Sequence, residues 1–301
     1  MKKIVVLASV LAFLSACTLP FGKSADGADR SVQVGDIKIG YRTVGSGPPL
    51  VMIMGYGSTM NLWEPALLDA LAARYQVIVF DNRGMGLTEA GARDFSLEQF
   101  ADDTAGLLDA LGVPQADVLG WSMGSSIAEE LALRHPAKVG RLILYASECD
   151  EDMFPASAKV VQQLTDATGT PEERGMRFVS LLFPAAWLQG HGDRVKDIFY
   201  RPLGVIDPRS VARQAQAMGK WKGCCDRLGD IRAPTLIITG SEDVITPPQN
   251  SQYLAEKIAG AQLAQIAGAG HGAMFQERDR FIEAVMAFLA ASVPHASVPH
   301  A

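Results

Sequence analysis

Gly120-Trp121-Ser122-Met123-Gly124 stands between an apolar run, Ala116 to Leu119, and a segment, Ser125 to His135, in which Ile127, Ala128, Leu131 and Ala132 fall on one helical face. The first run reads as a buried strand and the second as a helix that Pro136 stops. The serine therefore sits on a sharp strand-to-helix turn with its hydroxyl exposed. The flanking glycines leave room for that turn where a side chain would clash.

A serine hydroxyl is a poor nucleophile at neutral pH and needs a base, oriented by a carboxylate. The chain has five histidines. His295 and His300 lie in a terminal tail, and His135 reads as a helix-end residue favoured by the macrodipole. His191 reads as a surface-loop residue in a Gly-flanked stretch. His271 remains, in Ala269-Gly270-His271-Gly272, between a strand-like run, Gln262 to Ile266, and a helix-like run, Arg278 to Leu289. The carboxylate is expected from the loop after the strand Thr235 to Thr239. Asp243 is preferred over Glu242 because its shorter side chain holds an imidazole more rigidly. Glu148 and Asp150, after the strand Leu142 to Ala146, are the second candidates.

Three further runs extend this pattern. They are Val51-Met52-Ile53-Met54-Gly55-Tyr56-Gly57 followed by Trp63, Phe80-Asp81-Asn82-Arg83-Gly84-Met85-Gly86-Leu87-Thr88, and Leu228 through Ile238. With the chain order Ser122, Asp243, His271 they resemble the α/β-hydrolase superfamily from about Gln33 to Leu289. The resemblance implies Ser122 as nucleophile, His271 as base and Asp243 as the acid that orients it. It also implies an oxyanion hole from the backbone N–H groups of Tyr56 and Met123. Met54 stands where the family often has His, which removes a hydrogen bond that braces the oxyanion loop. No cofactor is called for.

The rest of the chain alternates strands and helices, which implies an α/β fold with a mostly parallel central sheet flanked by helices. Ile37, Ile39 and Tyr41 suggest an antiparallel opening strand. Ser96 caps a helix to Leu111, with Gln99 completing a capping box. From about Cys149 to Leu228 strand patterns cease and helical ones take over: Ala156–Ala167, Pro171–Leu182, Pro184–Leu188 and Pro208–Trp221. The core is thus expected at 31–148 and 229–290, with an inserted helical cap at 149–228. Met153, Phe154, Phe178, Leu181, Leu182, Phe183, Trp187 and Phe199 supply the cap's apolar surface. Most pack it on the core and a minority line a pocket.

Lys2 and Lys3 precede an apolar run, Ile4 to Leu14, too short to span a membrane as a mature helix. It reads as an export signal over 1–16. Leu14-Ser15-Ala16-Cys17 resembles the bacterial lipobox, which implies lipidation of Cys17 and a membrane as partner. Thr18 after the cysteine points to the outer membrane of the cell envelope; the alternative is an ordinary secretory signal cleaved near Ala16, which leaves a periplasmic protein. Residues 17–30 read as a flexible tether, and the tandem Ser-Val-Pro-His-Ala repeat within 291–301 as a disordered tail. The net charge of −6 without a basic stripe argues against nucleic acid. Cys149 opens the cap and Cys224-Cys225 close it, so a disulfide across the cap neck is expected from Cys149 and one of the pair, against reduced cysteines or a vicinal bond. The spacing offers no fourth metal ligand.

Functionally the resemblance implies hydrolysis of small-to-medium apolar carboxylic esters through an acyl-enzyme on Ser122. The alternatives are a perhydrolase of the cofactor-free haloperoxidase type, a lactonase, an amidase or a C–C bond hydrolase on the same residues. A non-catalytic surface binding protein is the remaining class.

Overall fold

The computed structural model describes residues 27–166, 168–199 and 202–291. The export signal, Cys17, most of the tether and the tail beyond Ala291 lie outside those residues. Among the described residues, β1 (Arg30–Val34), β2 (Ile37–Val44), β3 (Pro49–Ile53), β4 (Gln76–Phe80), β5 (Ala116–Trp121), β6 (Val139–Tyr145), β7 (Thr235–Gly240) and β8 (Gln262–Ile266) form one sheet. Its order is β1-β2-β4-β3-β5-β6-β7-β8. β1 pairs antiparallel with β2, and β2 with β4; the remaining pairs are parallel.

The central strands are apolar throughout because both their faces are covered. Alternation sends neighbouring side chains to opposite faces. Val51 and Ile53 pack with Phe100 and Leu107 of α2 (Leu97–Ala110), Ile127 of α3 (Met123–Arg134) and Leu254 of α9 (Pro248–Lys257). Leu50 and Met52 pack on the other side with Leu67 and Leu71 of α1 (Pro65–Ala72) and Phe281 and Val285 of α11 (Arg278–Ala290). Each such side chain taken from water contributes about 1.5–3 kcal/mol.

Between β6 and β7 lie α4 (Ala158–Thr165), α5 (Pro171–Leu182), α6 (Ala185–Gly190), α7 (Gly192–Phe199) and α8 (Pro208–Lys220). α7 had no counterpart in the sequence reading, because its first turn is the glycine-flanked stretch taken for a loop. β1 was also unread: Arg-Ser-Val-Gln-Val is polar and half-exposed, as an outer strand tolerates. It begins at Arg30, inside the stretch expected as tether.

Only half of the expected capping box forms at α2. Ser96 Oγ accepts from Gln99 N at 3.0 Å, but the Gln99 amide donates to Asp103 Oδ1 at 2.9 Å. Asp103 belongs to a stronger network. The buried Arg83 guanidinium donates to both Asp103 oxygens at 2.7 and 2.8 Å and to both Asp36 oxygens at 2.9 and 3.0 Å. One side chain thereby joins the turn after β4 to α2 and to the β1–β2 hairpin.

Cys149 is bonded to Cys225 with a Cα separation of 5.0 Å, and Cys224 is free and buried. The bond joins cysteines 76 positions apart in sequence, across the cap neck. Replacing Cys149 and Cys225 together by Ser is expected to lower the unfolding free energy by about 2–5 kcal/mol. Urea unfolding measures it, and an unchanged midpoint would mean that the bond contributes nothing.

Candidate active site

The turn between β5 and α3 is built by close backbone approach. A Cβ on Gly124 would fall on the Ile53 carbonyl, and one on Gly120 on the Gly124 carbonyl. Ser122 takes φ 56° and ψ −125°, a conformation that costs a non-glycine residue on the order of 1–3 kcal/mol. Its surroundings hold it there. Ser122 N donates to Tyr145 O at 2.9 Å, and Ser125 Oγ donates to Ser122 O at 2.5 Å. Strain of this kind at a half-buried hydroxyl beside a cavity marks a functional position rather than a folding need.

Asp243 follows β7 and His271 follows β8, so both stand, like Ser122 after β5, at the C-terminal ends of the parallel strands. Asp243 Oδ2 and His271 Nδ1 lie 2.8 Å apart, with both residues 3 % exposed. Asp243 Oδ1 accepts from Ile245 N and Thr246 N, each at 2.9 Å, so the Val-Ile-Thr run after Asp243 fixes the carboxylate. The Tyr145 hydroxyl donates to the His271 carbonyl, and the Trp121 ring centroid stands 5.9 Å from the imidazole. With Nδ1 on the carboxylate, Nε2 is left as the acceptor. Among the described residues no hydrogen bond joins Ser122 Oγ to His271; in ligand-free sites this contact is often long.

The competing candidates stand elsewhere. Glu242 is exposed. Asp150 accepts from Asp152 N at 2.9 Å. His135 Nε2 meets Asp102 Oδ1 at 2.7 Å at the end of α3, and His191 stacks on Trp187 at 4.4 Å.

The loop 54–57 packs against Ser122: a Cβ on Gly55 would lie 3.3 Å from Ser122 Cβ and 3.0 Å from Trp121 O. Met123 opens α3, so its N–H has no intrahelical acceptor. Among the described residues the Tyr56 N–H has no acceptor either. Burial pushes the Tyr56 phenol up to about 12, which keeps it protonated. The loop is braced without a histidine. Asn82 Nδ2 donates to Met54 O at 2.8 Å, and Gly57 N donates to Gln214 Oε1 of α8 at 2.9 Å. The sequence alone assigns a role to neither residue. Asn82 lies inside a motif that was quoted, whereas nothing local marks Gln214, a cap residue 157 positions from Gly57.

α3 also fastens the cap. Glu129 Oε1 accepts from Ser147 Oγ at 2.8 Å and Glu129 Oε2 from Cys224 Sγ at 3.1 Å. Glu130 Oε1 accepts from Trp221 Nε1 at 2.9 Å and from the Arg227 guanidinium at 2.6 Å. Burial, above all, pushes the Glu129 carboxyl up to about 8.

A cavity of about 60 Å³ opens beside Ser122 and Met123. Its apolar walls are Leu97, Ala146, Met218, Trp221 and Ile245, and Glu148 and Glu151 also line it. None of the eight apolar cap residues named from the sequence lines this cavity. Phe183 stacks on Trp187 at 4.7 Å and meets Phe199 at 6.3 Å, packing the cap on itself and on Phe275.

Comparison with known proteins agrees with this architecture. The family model described as alpha/beta hydrolase fold matches residues 48–278. A putative carbamate hydrolase, RutD, of Azorhizobium caulinodans is 29% identical over 255 residues, covering 84% of this chain and 96% of that protein. A putative non-heme bromoperoxidase, BpoC, of Mycobacterium tuberculosis is 30% identical over 267 residues, covering 84% and 98%. The solved structure of a hydrolase from Pseudomonas aeruginosa superposes with a TM-score of 0.75 at 28% identity, covering 87% and 98% of the two chains. With a mostly parallel sheet, an inserted set of helices and a family match over most of its length, the chain belongs to the α/β-hydrolase family.

Proposed function

We propose that this α/β hydrolase cleaves small carboxylic esters through an acyl-enzyme on Ser122. The observation that carries the reading is the strained Ser122 turn at the C-terminal ends of the strands, where the Asp243–His271 pair also stands. Ser122 Oγ attacks the ester carbonyl while His271 Nε2 takes its proton. Asp243 holds the imidazole tautomer and stabilises the imidazolium, without itself taking the proton. The oxyanion forms against the N–H groups of Tyr56 and Met123. His271 then returns its proton to the leaving alcohol, and water enters by the reverse path. The small cavity favours a short acyl group. The relatives' names, carbamate hydrolase and bromoperoxidase, concern other acceptors and bonds. A serine with its base serves all of these bonds in principle.

The protein is further read as exported and lipid-anchored in the bacterial envelope through Cys17. The Cys149–Cys225 disulfide supports an oxidising compartment. Radiolabelled palmitate is expected to enter the full-length chain in a bacterial host and to be lost in Cys17→Ser; label that persists in that variant contradicts the anchor.

On p-nitrophenyl esters from acetate to palmitate, short acyl groups are expected to be turned over fastest. Ser122→Ala is expected to lower kcat on the order of a millionfold. Activity that survives the substitution would displace Ser122 as nucleophile.

Gln214 tests the oxyanion loop. Gln214→Leu removes the acceptor of Gly57 N–H and is expected to lower kcat about ten- to a hundredfold with KM nearly unchanged, as a misplaced donor would. Gln214→Glu keeps an acceptor and is expected to recover most of the loss. A fall in thermal stability with kcat intact would make Gln214 a packing residue only.

A further inference from the structure

One face of α3 runs from the nucleophile to the cap. Met123 stands beside Ser122, Ser126 lines the cavity, and Glu130 lies one helical turn beyond Ser126, at the spacing that keeps a single face. The Glu130 side chain is fully buried and does not line the cavity. Two partners take up its carboxylate. Arg227 donates to Oε1 at 2.6 Å and to Oε2 at 3.2 Å, and Trp221 Nε1 donates to Oε1 at 2.9 Å. A carboxylate this deep is retained only where such partners satisfy it.

Trp221, unlike Glu130, is a wall of the cavity. It ends α8, where its N–H donates to Ala217 O and Met218 O, each at 3.0 Å. The chain just beyond is pressed on the cap neck. A Cβ on Gly223 would lie 2.5 Å from Cys149 O, and Cys224 N donates to Cys149 O at 2.8 Å. These contacts fix the Trp221 backbone and leave its two side-chain torsions to be set by the ring's own partners. The indole N–H has one acceptor among the described residues, Glu130 Oε1. Arg227 also donates to Gly223 O at 3.2 Å. The carboxylate, the guanidinium and the turn after Trp221 thus form one closed unit around the indole.

We propose that Glu130, acting through the Trp221 indole, sets the acyl-chain length that the cavity admits. Trp221 is the specificity-determining wall, and Glu130 is the positioning residue behind it. The inference rests on the ester-hydrolase reading and deepens it. With its N–H on the buried carboxylate, the indole keeps one orientation and closes the cavity at about 60 Å³, room for a short acyl group. An indole released from the carboxylate can turn about its side-chain torsions, and the wall then yields to a longer chain. The other apolar walls, Leu97, Met123, Ala146, Met218 and Ile245, have no side-chain donor by which a polar group could hold them. Among the apolar walls, Trp221 is therefore the one whose position a residue outside the cavity governs.

The test is the ratio of kcat/KM on p-nitrophenyl butyrate to that on p-nitrophenyl octanoate. The wild-type protein is expected to favour butyrate. Glu130→Leu alters no wall atom, and it leaves Arg227, whose side chain is 39 % exposed, able to turn to water. It is expected to lower the ratio about tenfold, the lower end of what one methylene is worth in an apolar pocket. Glu130→Gln keeps an acceptor for the indole N–H and is expected to restore most of the ratio. On a Trp221→Phe background there is no N–H to hold, so adding Glu130→Leu is expected to change the ratio no further. The ratio is internal to each preparation, so partly unfolded protein does not alter it. A wild-type preference for octanoate, a ratio unchanged by Glu130→Leu, or an equal fall on the Trp221→Phe background overturns the proposal and leaves the hydrolase reading standing. Should Glu130→Leu fail to fold, Trp221→Phe alone decides: a lowered ratio supports the proposal and an unchanged one overturns it. A wild-type protein that turns over neither ester removes the hydrolase reading and this proposal with it.

Discussion

The site depends on one close approach. The backbone after β5 turns into α3 so tightly that Gly120, Gly124 and the end of β3 meet with no room for a Cβ. That approach forces Ser122 into a conformation its own side chain disfavours, and hydrogen bonds to Tyr145 and Ser125 keep it there. The same turn leaves the first N–H of α3 open and brings Gly55 against Ser122. A hydroxyl open to the cavity and two free N–H groups, of Met123 and Tyr56, are therefore consequences of one packing constraint. Strain at the serine is offset by the apolar layers on both faces of the sheet, which fix the strand ends to within the tolerance the turn needs.

The cap is tied into this constraint at several points. Glu129 and Glu130 on α3 hold Cys224, Trp221 and Arg227 at the cap's return, and the Cys149–Cys225 bond closes the neck. Gln214 reaches from α8 to the oxyanion loop. Met218 and Trp221 follow Gln214 at the spacing of one helix face and line the cavity. One helix face thus meets both the loop that would hold the oxyanion and the space that would hold the acyl group. Movement of the cap would alter both together.

Much of the fold was legible in the sequence because its signals are local. Val, Ile and Leu runs bounded by Gly and Pro marked the central strands; Ser122 and Asp243 each follow one of them, and His271 follows the outer strand β8. The sequence failed where contacts are distant or where pattern is weak. β1 is a polar outer strand with little alternation to read. α7 begins with glycine, and its apolar residues, Val195 and Ile198, are buried in a cluster that also holds Trp63 and Phe275 of the core. Gln99 satisfied the capping-box pattern, yet its amide went to Asp103, because the buried Arg83 network offers a charged acceptor. Gln214 gains its meaning from a partner, Gly57, that no spacing encodes. The sequence offered Glu148 as an alternative orienting acid, whereas it stands on the cavity wall while His271 Nδ1 faces Asp243.

The most direct measurement is a crystal structure of the protein after reaction with a p-nitrophenyl alkylphosphonate. The account predicts phosphorus on Ser122 Oγ, a phosphonyl oxygen about 2.7–3.1 Å from both the Tyr56 and Met123 nitrogens, and the alkyl group in the cavity walled by Met218 and Trp221. Phosphorus on another residue, or a phosphonyl oxygen turned away from both N–H groups, would contradict it.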